Sequence, residues 1–158
     1  MRCLHGVSTG ALAFGVLLGT CVGAGGNDFT INLKIQSGGR EQTAMSGQSA
    51  PPAFTAKAKE VVWVQWSAAN GAAGTPLSDI TMHVFMDHGD VRAATPKPGP
   101  KALYESALIQ DFEAGVKSSG EFRLPIPEAG TYLVRVETIG AAKKLGKEVT
   151  AVMQVSAP

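Results

Sequence analysis

The stretch RLPIPEAGTYLVRVET, residues 123–138, contains the pattern that decides the fold class of this chain. Apolar side chains fall at every second position on both sides of a central Pro-x-x-Gly turn. Alternate side chains of an extended strand point to the same face, so the pattern predicts two strands joined by a turn. The residues that share the inward face are Leu124, Ile126, Tyr132, Val134 and Val136.

The same period of two recurs along the chain and predicts the other strands. We expect an N-terminal strand at 29–35 and further strands near 53–58, 61–68, 79–87, 103–110, 121–126, 131–139 and 148–156. Residues 102–112 fit a strand or a helix, and the all-β pattern around them favours a strand. Glycine- and proline-rich stretches separate these segments. The pattern predicts an all-β protein, a single antiparallel β-sandwich of about seven or eight strands.

The turn segment resembles the E–F corner of immunoglobulin-like and fibronectin type III-like domains, and VVWVQWSAAN (61–70) resembles their strand B. The resemblance covers residues 51–158 and gives the seven segments from 53–58 onward the labels A to G. In those families the corner tyrosine buries its ring and hydrogen-bonds to the backbone of the turn, a role that the resemblance assigns to Tyr132. The sandwich has no cysteine pair, so antibody-type domains are excluded.

The two tryptophans, Trp63 and Trp66, lie on opposite faces of the strand predicted at 61–68. One of them is expected to fill the core together with Tyr132. The other needs cover from the N-terminal strand, a loop or a partner, and would mark an interaction face if it were exposed.

The N-terminus has the layout of a secretory signal peptide. Arg2 precedes an uncharged segment at 7–22, and the small-x-small motif VGA at 22–24 predicts cleavage after Ala24. The alternative is the lipobox-like LGTC at 18–21, in which Cys21 would be lipidated. The chain is therefore expected to be secreted or periplasmic, or else anchored in the cell envelope by that lipid, its only membrane contact.

Composition divides the chain into a signal peptide (1–24), an N-terminal strand with a Gly/Ser-rich linker (25–52) and the sandwich (53–158). The only cysteines, Cys3 and Cys21, lie in the first part, so a mature chain cut after residue 24 has no disulfide, thiolate metal site or type I copper centre. Losing Arg2 from 14 basic and 13 acidic residues leaves 13 of each. A net charge of zero argues against nucleic acid as a partner.

The segment DITMHVFMDHGD, residues 79–90, concentrates the side chains that bind metals. Alternation assigns its methionines to the core, together with Ile80 and Val84, and leaves a smaller polar turn. A small exported metal-binding protein is therefore the alternative function. Its candidate ligands are His83, Asp87, His88 and Asp90. The same residues also fit a core strand that ends in an ordinary turn, so no cofactor is predicted.

The sequence favours a non-catalytic binding, adaptor or structural module over an enzyme. It has no G-x-S-x-G motif, few histidines and few aromatic residues for a sugar cleft. The expected partner is another envelope or extracellular protein, bound through loops or by strand addition at a sheet edge. The loop lysines that could contact it are Lys97, Lys101, Lys143, Lys144 and Lys147, although solvated loop ends also explain them.

Mass spectrometry of the mature protein separates the two processing routes. Cleavage after Ala24 gives an unmodified N-terminus at Gly25, and this is the expected result because VGA fits the cleavage rule. An N-terminal residue 21 carrying acyl chains would contradict it.

Overall fold

The computed structural model describes residues 28–89, 98–99, 102–139, 145 and 147–158. Within these ranges there are nine strands, and no helix is long and apolar enough to cross a membrane. The strands are β1 (Thr30–Ser37), β2 (Arg40–Met45), β3 (Phe54–Lys57), β4 (Val61–Ala69), β5 (Leu77–His88), β6 (Tyr104–Phe112), β7 (Lys117–Pro125), β8 (Gly130–Ile139) and β9 (Glu148–Ser156).

The strands form two sheets, which confirms the predicted all-β sandwich. One sheet has the order β2-β1-β4-β7 and the other β3-β9-β8-β5-β6. All neighbouring strands are antiparallel except β3 and β9, which run parallel. Segment 102–112 contains a strand, as expected, but β6 pairs with β5 and not with β7. It therefore lies outside the sheet in which strand D of an immunoglobulin domain would be found.

The structure has a strand where the sequence predicted a linker. Gly38 and Gly39 both adopt positive φ angles, 55° and 76°, and form a tight turn that returns β2 along β1. The polar composition of residues 36–52 concealed this hairpin, because β2 is an edge strand with one deeply buried side chain, Ala44. The β1 strand lies between β2 and β4, so the N-terminal segment is part of the sandwich and not a separate unit.

The core lies between the sheets and follows the predicted alternation. The apolar residues of β5 on its inner face, Ile80, Met82, Val84 and Met86, are all essentially inaccessible to solvent. Trp66 points into the core and Trp63 points away from it, as their opposite registers predict. Gly120 lies opposite Trp66, and a Cβ atom there would come within 2.7 Å of the indole. A small residue is needed at that position.

Tyr132 fixes the connection between β7 in one sheet and β8 in the other. Its side chain is fully buried, and its hydroxyl donates a hydrogen bond to the backbone oxygen of Glu128 at 2.9 Å. This is the geometry that the sequence predicted for the corner tyrosine. Burial raises the pKa of Tyr132, since the phenolate would lose its hydration.

Replacing Tyr132 with Phe removes this hydrogen bond and leaves the ring. We expect the free energy of unfolding in urea to fall by about 1 kcal/mol. Tyr104→Phe is the matched control, because the hydroxyl of Tyr104 makes no hydrogen bond to the described residues although its ring stacks on Phe122. Equal losses for the two variants would contradict the role of the corner bond.

The raised pKa of Tyr132 also has a consequence at alkaline pH. The unfolded state releases the phenolic proton at a lower pH than the folded state does, so stability declines as pH rises above ~10. We expect the Phe variant to lose less stability over this range. Parallel urea titrations at neutral and alkaline pH measure the difference, and identical pH profiles for both proteins would count against it.

Candidate functional site

The described metal candidates do not meet in space. His83 and Asp87 face outward from β5, whereas His88 lies on the other side with its ring centroid 4.4 Å from that of Tyr132. Asp87 accepts backbone hydrogen bonds from His88 at 2.7 Å and Gly99 at 2.6 Å, so its carboxylate holds Gly99 at the end of β5. Asp90 lies outside the described residues. Within them, no group of three His, Cys, Asp or Glu side chains is arranged to hold a metal ion.

Most of the candidate lysines lie outside the described residues: Lys97, Lys101, Lys143 and Lys144. Lys147 is described, and its backbone pairs with Thr138 at the start of the last loop. The structure therefore gives this residue a role in closing the β8–β9 connection and leaves the lysine docking hypothesis as a prediction.

His83 lies between two carboxylates on the outer face of the five-stranded sheet. Its Nδ1 is 3.1 Å from Glu137 Oε1, and its Nε2 is 3.0 Å from Glu105 Oε1. A neutral imidazole donates from one ring nitrogen and an imidazolium donates from both. Each ring nitrogen of His83 therefore lies within hydrogen-bond distance of a carboxylate oxygen.

Arg135 extends this row of charges to the next strand. It is only 3% exposed, yet its Nε donates to Glu137 at 2.7 Å, its Nη1 donates to Thr150 at 3.0 Å and its Nη2 donates to Glu148. With His83 and Glu105 it forms a network that crosses β6, β5, β8 and β9. The hydrogen-bonding groups of these residues are paired with one another. The network therefore acts as a structural cross-link between the strands.

Another part of this outer face is covered near Gly89. Phe85 and Leu133 are almost fully buried although both lie outside the central core. Gly89 rests on Leu133 so closely that a Cβ atom would come within 2.1 Å of its side chain. The outer face of the five-stranded sheet is therefore partly closed.

No described residue covers the outer face of the four-stranded sheet, which carries a groove of about 620 Å³ that we call the outer groove. The strand registers arrange its side chains in two rows across the sheet. The first row contains Asn32, Ser67 and Ser119, and the second contains Thr43, Lys34, Gln65 and Glu121.

A third row of side chains lies next to the second row, beside the outer groove. Arg123 lies over the Trp63 ring, 3.9 Å from its centroid, and the indole nitrogen donates to Glu121 at 3.2 Å. At the other edge Lys34 and Glu41 form an ion pair at 2.8 Å. The hydrogen bond from Lys34 is the main reason that the pKa of Glu41 is lowered, and a second one from Gln36 adds to it.

The free edge of β6 is the second open surface. This nine-residue strand pairs with β5 on one side, and no described strand pairs with its other side. Leu108 is 46% exposed and Ile109 is 69% exposed; they are consecutive residues in the middle of the strand and point to opposite faces. Sequence analysis missed both surfaces, because alternation identifies the outward residues of a strand but not which strands are neighbours or edges.

These features define the class as a nine-stranded β-sandwich, within the described residues, with one open outer face and an exposed apolar edge at β6. No protein-family model matches the chain, and no curated protein sequence matches it. Among solved structures, the chain is similar to one described as the crystal structure of the C-terminal domain of wzt. The two share 13% sequence identity and a TM-score of 0.44, over 78% of this chain and 70% of that chain.

Breaking the charged network on the five-stranded sheet should destabilise the fold. We expect Glu137→Ala to lower the free energy of unfolding by about 2 kcal/mol, because the buried Arg135 loses a charged hydrogen bond. The control is Glu105→Ala at the exposed end of the same network, with an expected loss below about 1 kcal/mol. Urea unfolding measures both, and a larger loss for the Glu105 variant would contradict this assignment.

Proposed function

We propose that this chain is an exported, non-catalytic module with an immunoglobulin-like sandwich, and that it binds a protein partner by strand addition to β6. The signal-like segment at 1–24 supports export to the periplasm or outside the cell. The edge of β6 that no described strand pairs with, together with its exposed apolar centre, is the observation that carries the binding proposal.

Strand order supports the immunoglobulin-like assignment. The pair β4–β7 corresponds to strands B and E, and the order β9-β8-β5 corresponds to G, F and C. Tyr132 occupies the E–F corner and makes the expected backbone hydrogen bond. The departures are the extra strand β2 and the position of β6 beside β5.

The other sheet edges are better protected than β6 against pairing with another chain. The β3 strand has only four residues, β7 contains Gly120 and ends at Pro125, and β2 carries Arg40 and Glu41. Short length, proline and charge are the usual means by which edges avoid association. The N-terminal strand predicted at 29–35 is the interior strand β1, so it has no free edge to offer a partner.

The charges of β6 argue against pairing with a second copy of itself. If two copies aligned antiparallel over the full strand, Glu105 of each would lie opposite Asp111 of the other. Like charges directly opposite each other destabilise a strand pair. The outer face of β6 reads Glu105, Ala107, Ile109, Asp111, so it favours a partner strand with apolar residues between two basic ones.

Synthetic peptides test this proposal directly. The probe is the extended heptapeptide KTVTVTK, and its control is ETVTVTE, which keeps the apolar positions and reverses the charge. We expect the lysine peptide to bind about tenfold more tightly at low salt, since two charge pairs add to the strand contacts. In NMR spectra of the isotope-labelled protein, the largest changes in amide chemical shift on adding the peptide should fall on the residues of β6.

The matched variants are Ile109→Lys and Val61→Lys. Both place a lysine at an exposed apolar position, but Val61 lies in the four-stranded sheet. The first substitution should abolish the β6 shifts and the second should leave them unchanged. Strand addition at this edge would be refuted if neither peptide changed the amide chemical shifts of β6. It would also be refuted if the changes persisted in the Ile109→Lys variant.

A further inference from the structure

We propose that the outer groove of the four-stranded sheet binds a neutral oligosaccharide. The groove is separate from the β6 edge, since its lining belongs to β1, β2, β4 and β7. Its volume of about 620 Å³ falls in the range of ~300–1,000 Å³ found for small-ligand sites. The proposal stands on the chemistry of that lining and does not depend on the peptide experiment.

The outer groove supplies hydrogen-bonding groups that are uncommitted among the described residues. Within the described part of the chain, Lys34, Gln65 and Glu121 bond to neighbouring side chains. The amide of Asn32 and the hydroxyls of Thr43, Ser67 and Ser119 have no such partner there. Amides and hydroxyls both donate and accept hydrogen bonds, which is the pattern that the hydroxyl groups of a sugar require.

The charges around the outer groove balance. The charged side chains of the second and third rows are Lys34, Arg123, Glu41 and Glu121, two positive and two negative. Lys34 is already paired with Glu41, and Arg123 lies over the Trp63 ring. The first row carries no charge. A polyanion such as nucleic acid therefore finds no basic surface here.

The backbone of the sheet under the outer groove favours a sugar chain over a peptide. The two inner strands, β1 and β4, have a hydrogen-bonded neighbour on each side, so their backbone groups are used within the sheet. A peptide crossing this face would find few partners for its own backbone amides and carbonyls, each of which needs one. Sugar hydroxyls need only the side chains that the groove presents.

The experiment titrates the isotope-labelled domain with hexasaccharides that differ in linkage: cello-, malto-, xylo- and mannohexaose. A hexamer of galacturonic acid is the charged control. We expect at least one neutral chain to shift the amides of residues 32, 43, 67 and 119. The double variant Asn32→Ala, Ser119→Ala should bind it about tenfold more weakly, the change produced by ~1.4 kcal/mol of lost hydrogen bonding.

The matched control is Ser78→Ala, which removes an exposed hydroxyl far from the groove and should leave the affinity unchanged. Amide spectra of each variant show whether it is folded. The proposal is overturned if no neutral hexasaccharide shifts groove amides at about 10 mM, well above the ~1 mM dissociation constant of a weak site. Binding of the acidic hexamer alone would equally overturn it. Neither result affects strand addition at β6, which the peptides test separately.

Discussion

Every strand of this protein has to bury one face against the opposite sheet, and this constraint shapes the rest of the molecule. Burial of apolar area is the main favourable term in folding, and a period of two gives each strand a single apolar side to contribute. The core side chains of β5 and β8, such as Met82 and Val134, are fully inaccessible for this reason. The other half of the side chains point outward and do not pack in the core. Their chemical type is therefore free to vary, and they are available for binding.

The two sheets use that freedom differently. On the five-stranded sheet the outer face is cross-linked by Arg135 and His83 and partly covered near Leu133. Charged groups that satisfy one another leave little to offer a ligand. On the four-stranded sheet the equivalent face is neutral, polar and open, and several of its hydroxyl and amide groups have no described partner. The same architecture thus separates a cross-linked face from one whose polar groups are left uncommitted among the described residues.

Much of the fold could be read from the sequence, because alternation is a local property. The strands from Val61 onward and the inward methionines follow from neighbouring residues, and the role of Tyr132 followed from the resemblance of its turn to a known corner. The β2 strand could not be identified in this way, since a polar edge strand has the composition of a loop. Edges and cross-strand rows were also inaccessible, because they depend on which distant segments pair. The candidate surfaces consist of such pairings.

The pairing of β1 with β4 and of β3 with β9 has a mechanical consequence. Thr30 lies opposite Ala69 at one end of the sandwich, and Ser156 lies beside Lys57 at the other. The described chain therefore enters and leaves at opposite ends. A force applied between these points would act parallel to β1 and β9. The backbone hydrogen bonds of each strand would then bear the force together and would not break one at a time. A tether on the N-terminal side would also hold the Tyr132 corner at the far end, away from the point of attachment.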